Sequence, residues 1–276
     1  FSFLLLSLVF YYRSKIALYR EQFIKTTQVP VAKNFVLKNS HLVGARELII
    51  VIPAYNEQEN IGEVISRIPK RICGLEPTVV VVSDGSEDET YSEAQNAGAL
   101  VMEHPISLGQ CVAYRTGYLV ADLLKSKYLI HLDADGQYKP EEIELLLKPI
   151  INDDFDLVSG SRTLGYYEEE FDKSNFVRRV GVVFFNFILS SLLRKKITDS
   201  ASGFRAIKVE FLPQLTLKQE QFHSSELLIE SIKAGARFSE VPVSFLKRIS
   251  GESKKPNSLK YGWGFASAII RTWIRN

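Results

Sequence analysis

The chain has 276 residues, 46% of them hydrophobic and 24% charged, with a formal net charge of +2. That is an ordinary globular composition, long enough for one large domain with a full core, and its near-neutral balance gives no field for nucleic acid. The two cysteines, Cys73 and Cys111, lack the spacing of a zinc site and are too few for a disulfide scaffold, so they read as reduced thiols.

The first segment, "FSFLLLSLVFYY" (1–12), is followed at once by Arg13, Lys15 and Arg20. About a dozen apolar residues is short of the ~20 that a spanning helix needs. Tyr11 and Tyr12 followed by basic residues have the composition of a cytoplasmic membrane interface. Residues 1–20 are therefore expected to be the end of a membrane anchor that begins further upstream; a core helix is the other reading. Residues 21–45 are expected to be a linker, because Pro30 and scattered polar residues break any period.

From residue 47 the chain alternates strand, turn and helix. "ELIIVIP" (47–53) is a continuous apolar run of strand length, and "NIGEVISRI" (60–68) has Ile61, Val64, Ile65 and Ile68 at helical spacing. "TVVVVSDGS" (78–86) and "AGALVMEHP" (97–105) predict two more strands. "GQCVAYRTGYLVADLL" (109–124) predicts a helix and "KYLIHLDADG" (127–136) a fourth strand. "PEEIELLLKPI" (140–150) predicts a helix with Pro at its first turn and acids next, and "DLVSGSR" (156–162) a further strand. Apolar strands alternating with helices imply a largely parallel sheet covered on both faces. The C-terminal segment, 255–276, mixes Trp263, Trp273 and Tyr261 with Lys260, Arg271 and Arg275. It reads as an interfacial amphipathic segment or as a plain surface helix.

Ligands of open α/β sheets bind beyond the carboxyl ends of the strands. Three polar tips lie there: "PAYNE" (53–57), "SDGSEDET" (83–90) and "DADGQ" (133–137). Asp133 and Asp135 stand one residue apart at the end of a buried strand. Two carboxylates so close repel unless a cation sits between them. A hard divalent ion, Mg²⁺ or Mn²⁺, suits oxygen ligands of this kind, and Gln137 adds a neutral oxygen. The alternative is a solvated turn. Asp84 is placed to accept a bond from a nucleotide base or ribose, or to cap the next helix; Tyr55 can pack on a base beside Glu57. No P-loop and no G-x-G-x-x-G after a strand is present, so neither an ATPase nor a dinucleotide enzyme is indicated.

Together "VIPAYNEQENI", "VVVVSDGSEDET", "HLDADGQYKPEEI" and "DLVSGSR" resemble a family-2 glycosyltransferase of the GT-A fold, over about residues 47–254. "ITDSASGFRAI" (197–207) and "EVPVSFLKRISGESK" (240–254) are similar to the branch that glycosylates polyprenyl phosphates, that of dolichyl-phosphate mannose synthase. The resemblance implies a GT-A domain over 46–254, a mostly parallel Rossmann-like sheet with helices on both faces. It implies nucleotide binding by Pro53, Tyr55, Glu57 and Asp84. Asp133, Asp135 and Gln137 would hold the metal and diphosphate. Arg162, Arg178, Arg205, Arg248 and Lys254 would meet the acceptor phosphate or the donor diphosphate. Asp133, Asp135, Asp199 and Arg248 would be the catalytic set, with Asp199 orienting an arginine or binding on the acceptor side, and a cap or turn role as its other reading. Ser83, Ser107, Gln110 and Cys111 depart from the family pattern, where Asp, Asn, Lys and Gly are usual.

The implied reaction moves a sugar, with inversion, from a nucleotide diphosphate sugar to a polyprenyl phosphate such as dolichyl or undecaprenyl phosphate. The catalytic domain would face the cytoplasm at the membrane, and oligomerisation is left open. Arg178 and Arg179 precede an apolar stretch, "VGVVFFNFILSSLL" (180–193), that reads as a buried or a membrane-contacting helix. "YYEEEFDKSN" (166–175) reads as a lid or a solvated charge run, and His41, His104, His131 and His223 read as structural. Two rival readings are a family-2 enzyme with a hydroxyl acceptor and a non-catalytic nucleotide-sugar-binding membrane protein. The Q-x-x-R-W signature of processive synthases is absent.

Overall fold

The computed structural model describes residues 2–168, 173–248, 250 and 259–275. Among them, seven strands form one sheet: β1 (Leu48–Ala54), β2 (Pro77–Ser83), β3 (Leu100–Glu103), β4 (Tyr128–His131), β5 (Leu157–Tyr167), β6 (Arg205–Lys208) and β7 (Phe238–Phe245). The helices are α1 (Ser2–Lys38), α2 (Ile61–Ser66), α3 (Thr90–Asn96), α4 (Gln110–Leu123), α5 (Ile143–Asn152), α6 (Lys173–Leu193), α7 (His223–Lys233) and α8 (Leu259–Trp273).

The strand order is β3-β2-β1-β4-β6-β5-β7. β1 pairs in parallel with β2 and β4, β2 with β3, and β5 with β7. The exception is β6, antiparallel to both β4 and β5. Four residues that begin with an arginine carry too little strand pattern to announce this reversed strand. All seven residues of β1 are buried, as a central parallel strand requires. Its Ile49 and Val51 join the core beneath α1, α4, α7 and α8, and its Leu48, Ile50 and Ile52 join the core beneath α2, α3 and α5. That alternation is the period-2 pattern of a strand covered on both faces.

α1 corrects the expected linker: residues 21–38 are helical. Ile24, Gln28, Ala32 and Phe35 form a buried stripe at helical spacing. Gln28 Nε2 donates to Val112 O (2.8 Å) and Thr116 Oγ1 (3.0 Å) on α4, which fixes the helix to the domain. Pro30 lies inside this helix. The preceding half of α1 packs on little: Leu5, Leu6, Phe10, Tyr12 and Ile16 are all exposed. Among the described residues, no helix is long and apolar enough to cross a membrane.

α8 docks on α7. Phe265, Ala268, Ile269 and Thr272 are buried, and Arg275 donates to the buried Glu226 carboxylate at 2.8 Å. Lys233 caps the C-terminal end of α8 through the carbonyls of Thr272 and Trp273.

Candidate active site

β1 lies between β2 and β4, so the chain order reverses at the β1–β4 boundary. The crevice outside such a boundary is where ligands bind in open α/β sheets. Tyr55 and Glu57 follow β1, Asp84 follows β2, and Asp133 and Asp135 follow β4. The topology therefore gathers the three polar tips on one edge, as the sequence predicts.

The first two tips are cross-tied. Asn56 N donates to Ser86 Oγ (3.2 Å) and Glu87 N to Asn56 Oδ1 (2.9 Å). Glu57 N donates to Thr90 Oγ1 (2.8 Å), and Glu89 N to Gln58 Oε1 (3.0 Å). Pro53 is buried within β1, opposite Val82, whereas Tyr55 is 36% exposed at the cleft.

Asp84 is buried and accepts four bonds. His104 Nδ1 (2.7 Å) and Leu108 N (2.9 Å) reach Oδ1; Ser107 Oγ (2.9 Å) and Gly109 N (2.7 Å) reach Oδ2. In this arrangement Asp84 anchors the loop 104–109, and both oxygens are engaged by protein donors. Gly85 permits the approach: at φ +66° it lies so near that a Cβ would meet Ile106 C and Ser107 N at 2.5 Å. His104, structural by sequence, is the buried tie between Asp84 and Thr116.

At the third tip, Asp133 Oδ1 accepts from Gln110 Nε2 (3.1 Å) and Tyr114 Oη (2.8 Å). Asp135 Oδ1 accepts from Gln137 N (3.1 Å), closing a turn through Gly136 at φ 72°. The Gln137 side chain donates to Leu246 O (3.2 Å), and Leu246 N donates to Gln137 O (2.7 Å). These bonds bring in Arg248, whose Nη2 lies 2.6 Å from Glu57 Oε1 and 3.7 Å from Asp135 Oδ2. Ser250 Oγ donates to Asn60 Oδ1 at 2.8 Å, so the segment after β7 spans the cleft to the β1 tip.

The remaining predicted residues divide. Arg162 grips Asp199 with two bonds, Nε to Oδ2 (2.6 Å) and Nη2 to Oδ1 (2.7 Å), and its guanidinium lies 5.0 Å from the centre of the Phe245 ring. Burial works to raise the Asp199 pKa, but the charge and hydrogen bonds of Arg162 outweigh it and hold the carboxyl below its ordinary value. Asp199 therefore orients an arginine, one of the roles its sequence position allows. Arg205 is a correction to the predicted phosphate ligands. It is 0% exposed, and its guanidinium donates to the carbonyls of Ser200, Ser202 and Ser224. It supports the site from behind and does not line it. Arg178 falls in the opening turns of α6, and its side chain, Lys254 and most of the suggested lid lie outside the described residues.

Beneath Asp133 is an aromatic cluster that sequence reasoning missed. Tyr114 stacks on His223 (5.1 Å between ring centres, 13° between planes) and meets His131 at 4.8 Å. Tyr118 Oη bonds His223 Nε2 at 2.5 Å. Burial lowers both imidazoles, His223 to about 3 and His131 well below its usual value, and raises the Tyr114 phenol well above its own. The floor of the cleft is thus uncharged at neutral pH.

The donor set at Asp133 and Asp135 fits a hard divalent cation in one respect. Mg²⁺ is commonly held by one or two carboxylates plus substrate phosphates, so a full protein cage is not required. Among the described residues no group of three or more His, Cys, Asp or Glu could hold a metal alone. The Arg248 guanidinium near Asp135 shows that the tip accommodates positive charge.

The sequence profile of Glycosyl transferase family 2 matches residues 49–216. A UDP-N-acetylglucosamine–dolichyl-phosphate N-acetylglucosaminyltransferase of Methanococcus voltae is 30% identical, over 71% of this chain and 84% of that protein. A dolichyl-phosphate hexose transferase of Haloferax volcanii is 32% identical, over 75% of this chain and 86% of that protein. Among solved structures, glucosyl-3-phosphoglycerate synthase from Mycobacterium tuberculosis, in complex with Mn²⁺, UDP and glucosyl-3-phosphoglycerate, superposes with a TM-score of 0.65 at 19% identity. That match covers 84% of this chain and 81% of the other, a likeness of fold.

Proposed function

The chain belongs to glycosyl transferase family 2, and from that premise we propose that it moves a sugar from a nucleotide diphosphate sugar to a polyprenyl phosphate at the cytoplasmic face of a membrane, with inversion. The observation that carries the reading is the convergence of Glu57, Asp135 and Arg248 where the tips of β1 and β4 meet, two carboxylates on the donor side with one cation turned to the acceptor. The polyprenyl half is supported by the names of the archaeal relatives.

In this reading the nucleotide lies across the tips, with Tyr55 bordering the base and Asp84 holding the 104–109 loop that walls the pocket. Asp133 and Asp135 would hold Mg²⁺ or Mn²⁺, with Gln137 closing the turn. When bound, the ion supplies charge neutralisation for the leaving nucleoside diphosphate. Arg248, between Glu57 and Asp135, receives the acceptor phosphate as it nears the donor. Arg162, fixed by Asp199, borders the same side, and Arg178 and Lys254 are further candidates for that anion. A phosphate monoester has a second pKa of about 6, so it is largely dianionic at neutral pH and needs positioning more than a base. A hydroxyl acceptor would need a proton taken from it. Asp199, gripped through both oxygens by Arg162, is poorly disposed to take one.

The exposed apolar flank fits membrane association. Val183, Phe184 and Phe187 on α6, and Trp263 and Ile270 on α8, are all more than half exposed, and the two helices meet through Phe185 and Phe265 at 4.9 Å. The exposed half of α1 adds to this apolar surface.

The test is transfer from a panel of radiolabelled UDP- and GDP-sugars to a polyprenyl phosphate in liposomes, with Mg²⁺ or Mn²⁺ and the purified chain. Labelled lipid that appears only with the phosphorylated polyprenol is the expected result. Transfer to a glycan hydroxyl, with none to the lipid, overturns the acceptor.

A further inference from the structure

We propose that Tyr114, Gln110 and Gly203 form a socket that fixes the Asp133 carboxylate for the divalent cation, with Tyr114 and Gly203 as positioning residues of the site. The inference rests on the cation reading above and goes further by naming what sets the geometry of one ligand. A terminal carboxylate torsion is broad and nearly two-fold, so an aspartate at a strand end does not choose its own orientation. Here three contacts choose it. Tyr114 Oη (2.8 Å) and Gln110 Nε2 (3.1 Å), one turn apart on α4, both donate to Oδ1. On the other side the carboxylate lies against Gly203, where an added Cβ would stand 2.6 Å from Oδ2 and 3.2 Å from Cγ.

Each wall of the socket is itself held. Tyr114 is 2% exposed, stacked on His223 and set against His131, and Gly203 N donates to the buried Tyr138 Oη at 3.2 Å. Both α4 donors are neutral. They orient Asp133 without cancelling its charge, which a lysine at the Gln110 position would partly do. Groups that orient a metal ligand from behind commonly alter metal affinity by about 10–100-fold when removed.

The two variants separate this role from packing. Tyr114→Phe keeps the ring and its stacking and removes only the O–H. Gly203→Ala adds one methyl, and its nearest obstacle is the end of the Asp133 side chain, so the fold can absorb the change by displacing the carboxylate. Mn²⁺ binding to the purified full chain is followed by the electron paramagnetic resonance of the free ion, in separate series with UDP and with GDP. Thermal unfolding is recorded alongside. Tyr114→Phe and Gly203→Ala are each expected to weaken Mn²⁺ binding by about tenfold. For Tyr114→Phe, the Mn²⁺ concentration giving half-maximal transfer should rise in proportion, while kcat at saturating Mn²⁺ recovers most of its wild-type value. If both variants bind Mn²⁺ like the wild type while Asp135→Asn does not, the socket is wrong and the cation reading stands. If the wild-type chain binds no Mn²⁺ with either nucleotide, the cation reading fails and the socket falls with it.

Discussion

The three strand tips and the flank formed by α6 and α8 present opposite kinds of surface. At the tips, loop is tied to loop by directional bonds: Asn56 to Ser86 and Glu87, Glu57 to Thr90, Asp84 to four donors, Asn60 to Ser250. On the flank, the outward side chains are apolar and open to solvent, Phe187 and Trp263 at 70% and 78%, while the inner faces of the helices are docked by packing such as Phe185 against Phe265 and by bonds such as Lys233 Nζ to Thr272 O. A site that must discriminate among phosphates and bases benefits from polar groups oriented before the ligand arrives, because their reorganisation is then already done. A surface that meets a fluid apolar phase needs area more than direction. Substitutions at the tips should therefore act on chemistry, and those on the flank on where the enzyme sits.

The largest effect is expected from Asp135→Asn. It removes a charge from the tip proposed to hold the cation and keeps the shape of the side chain. Turnover should fall by at least about 10²-fold, comparable with the loss of one transition-state electrostatic contact, and the unfolding temperature should hardly move. Near-normal turnover at saturating metal would remove the tip from the mechanism.

Arg248→Ala comes next and tests the boundary between the regions. The arginine reaches the site from the segment after β7 and lies beside the carboxylates of Glu57 and Asp135. A charged hydrogen bond contributes roughly 1.5–3 kcal/mol, so the apparent affinity for polyprenyl phosphate should weaken by about ten- to a hundredfold. Nucleotide binding by calorimetry should persist. The reverse pattern, with nucleotide binding lost and lipid dependence unchanged, would assign Arg248 to the donor. Arg248→Lys should restore little, because a lysine ammonium cannot present the two-pronged guanidinium face that pairs with a phosphate.

The tips were legible because each follows an unmistakable apolar strand with a cluster of polar and charged residues, and the parallel topology that such strands imply brings their ends together. Their partners were not. The donors to Asp84 include two backbone N–H groups more than twenty residues downstream, and backbone atoms leave no mark in a sequence. Arg205 looks like any surface arginine, since the three carbonyls that bury it belong to serines near and far. The helical part of the expected linker hid for a different reason. Its buried stripe contains a glutamine and an alanine, so hydrophobic periodicity undercounts it, and Pro30 argues against a helix. Tyr114 sits on an apolar helix face where a phenol reads as core, and only the fold shows that Asp133 is above it.

The smallest effect on the isolated chain, and the sharpest test of the comparison, is expected from the flank. Trp263 is 78% exposed and its side chain leaves the docked face of α8, which is carried by Phe265, Ala268, Ile269 and Thr272. Trp263→Ser should therefore change folding stability by no more than about 0.5 kcal/mol, as surface substitutions do. Binding of UDP or GDP should not change, since the Trp263 side chain is turned to solvent. Burying a large apolar side chain is worth about 1.5–3 kcal/mol, so partitioning onto liposomes should weaken by roughly tenfold or more. Transfer to a lipid acceptor in vesicles should fall with it, and transfer to a short-chain polyprenyl phosphate dispersed in detergent should not. If detergent and vesicle activities fall together, Trp263 takes part in the chemistry and the two regions are not separate. If neither falls and partitioning is unchanged, the proposed membrane contact through the apolar flank is overturned.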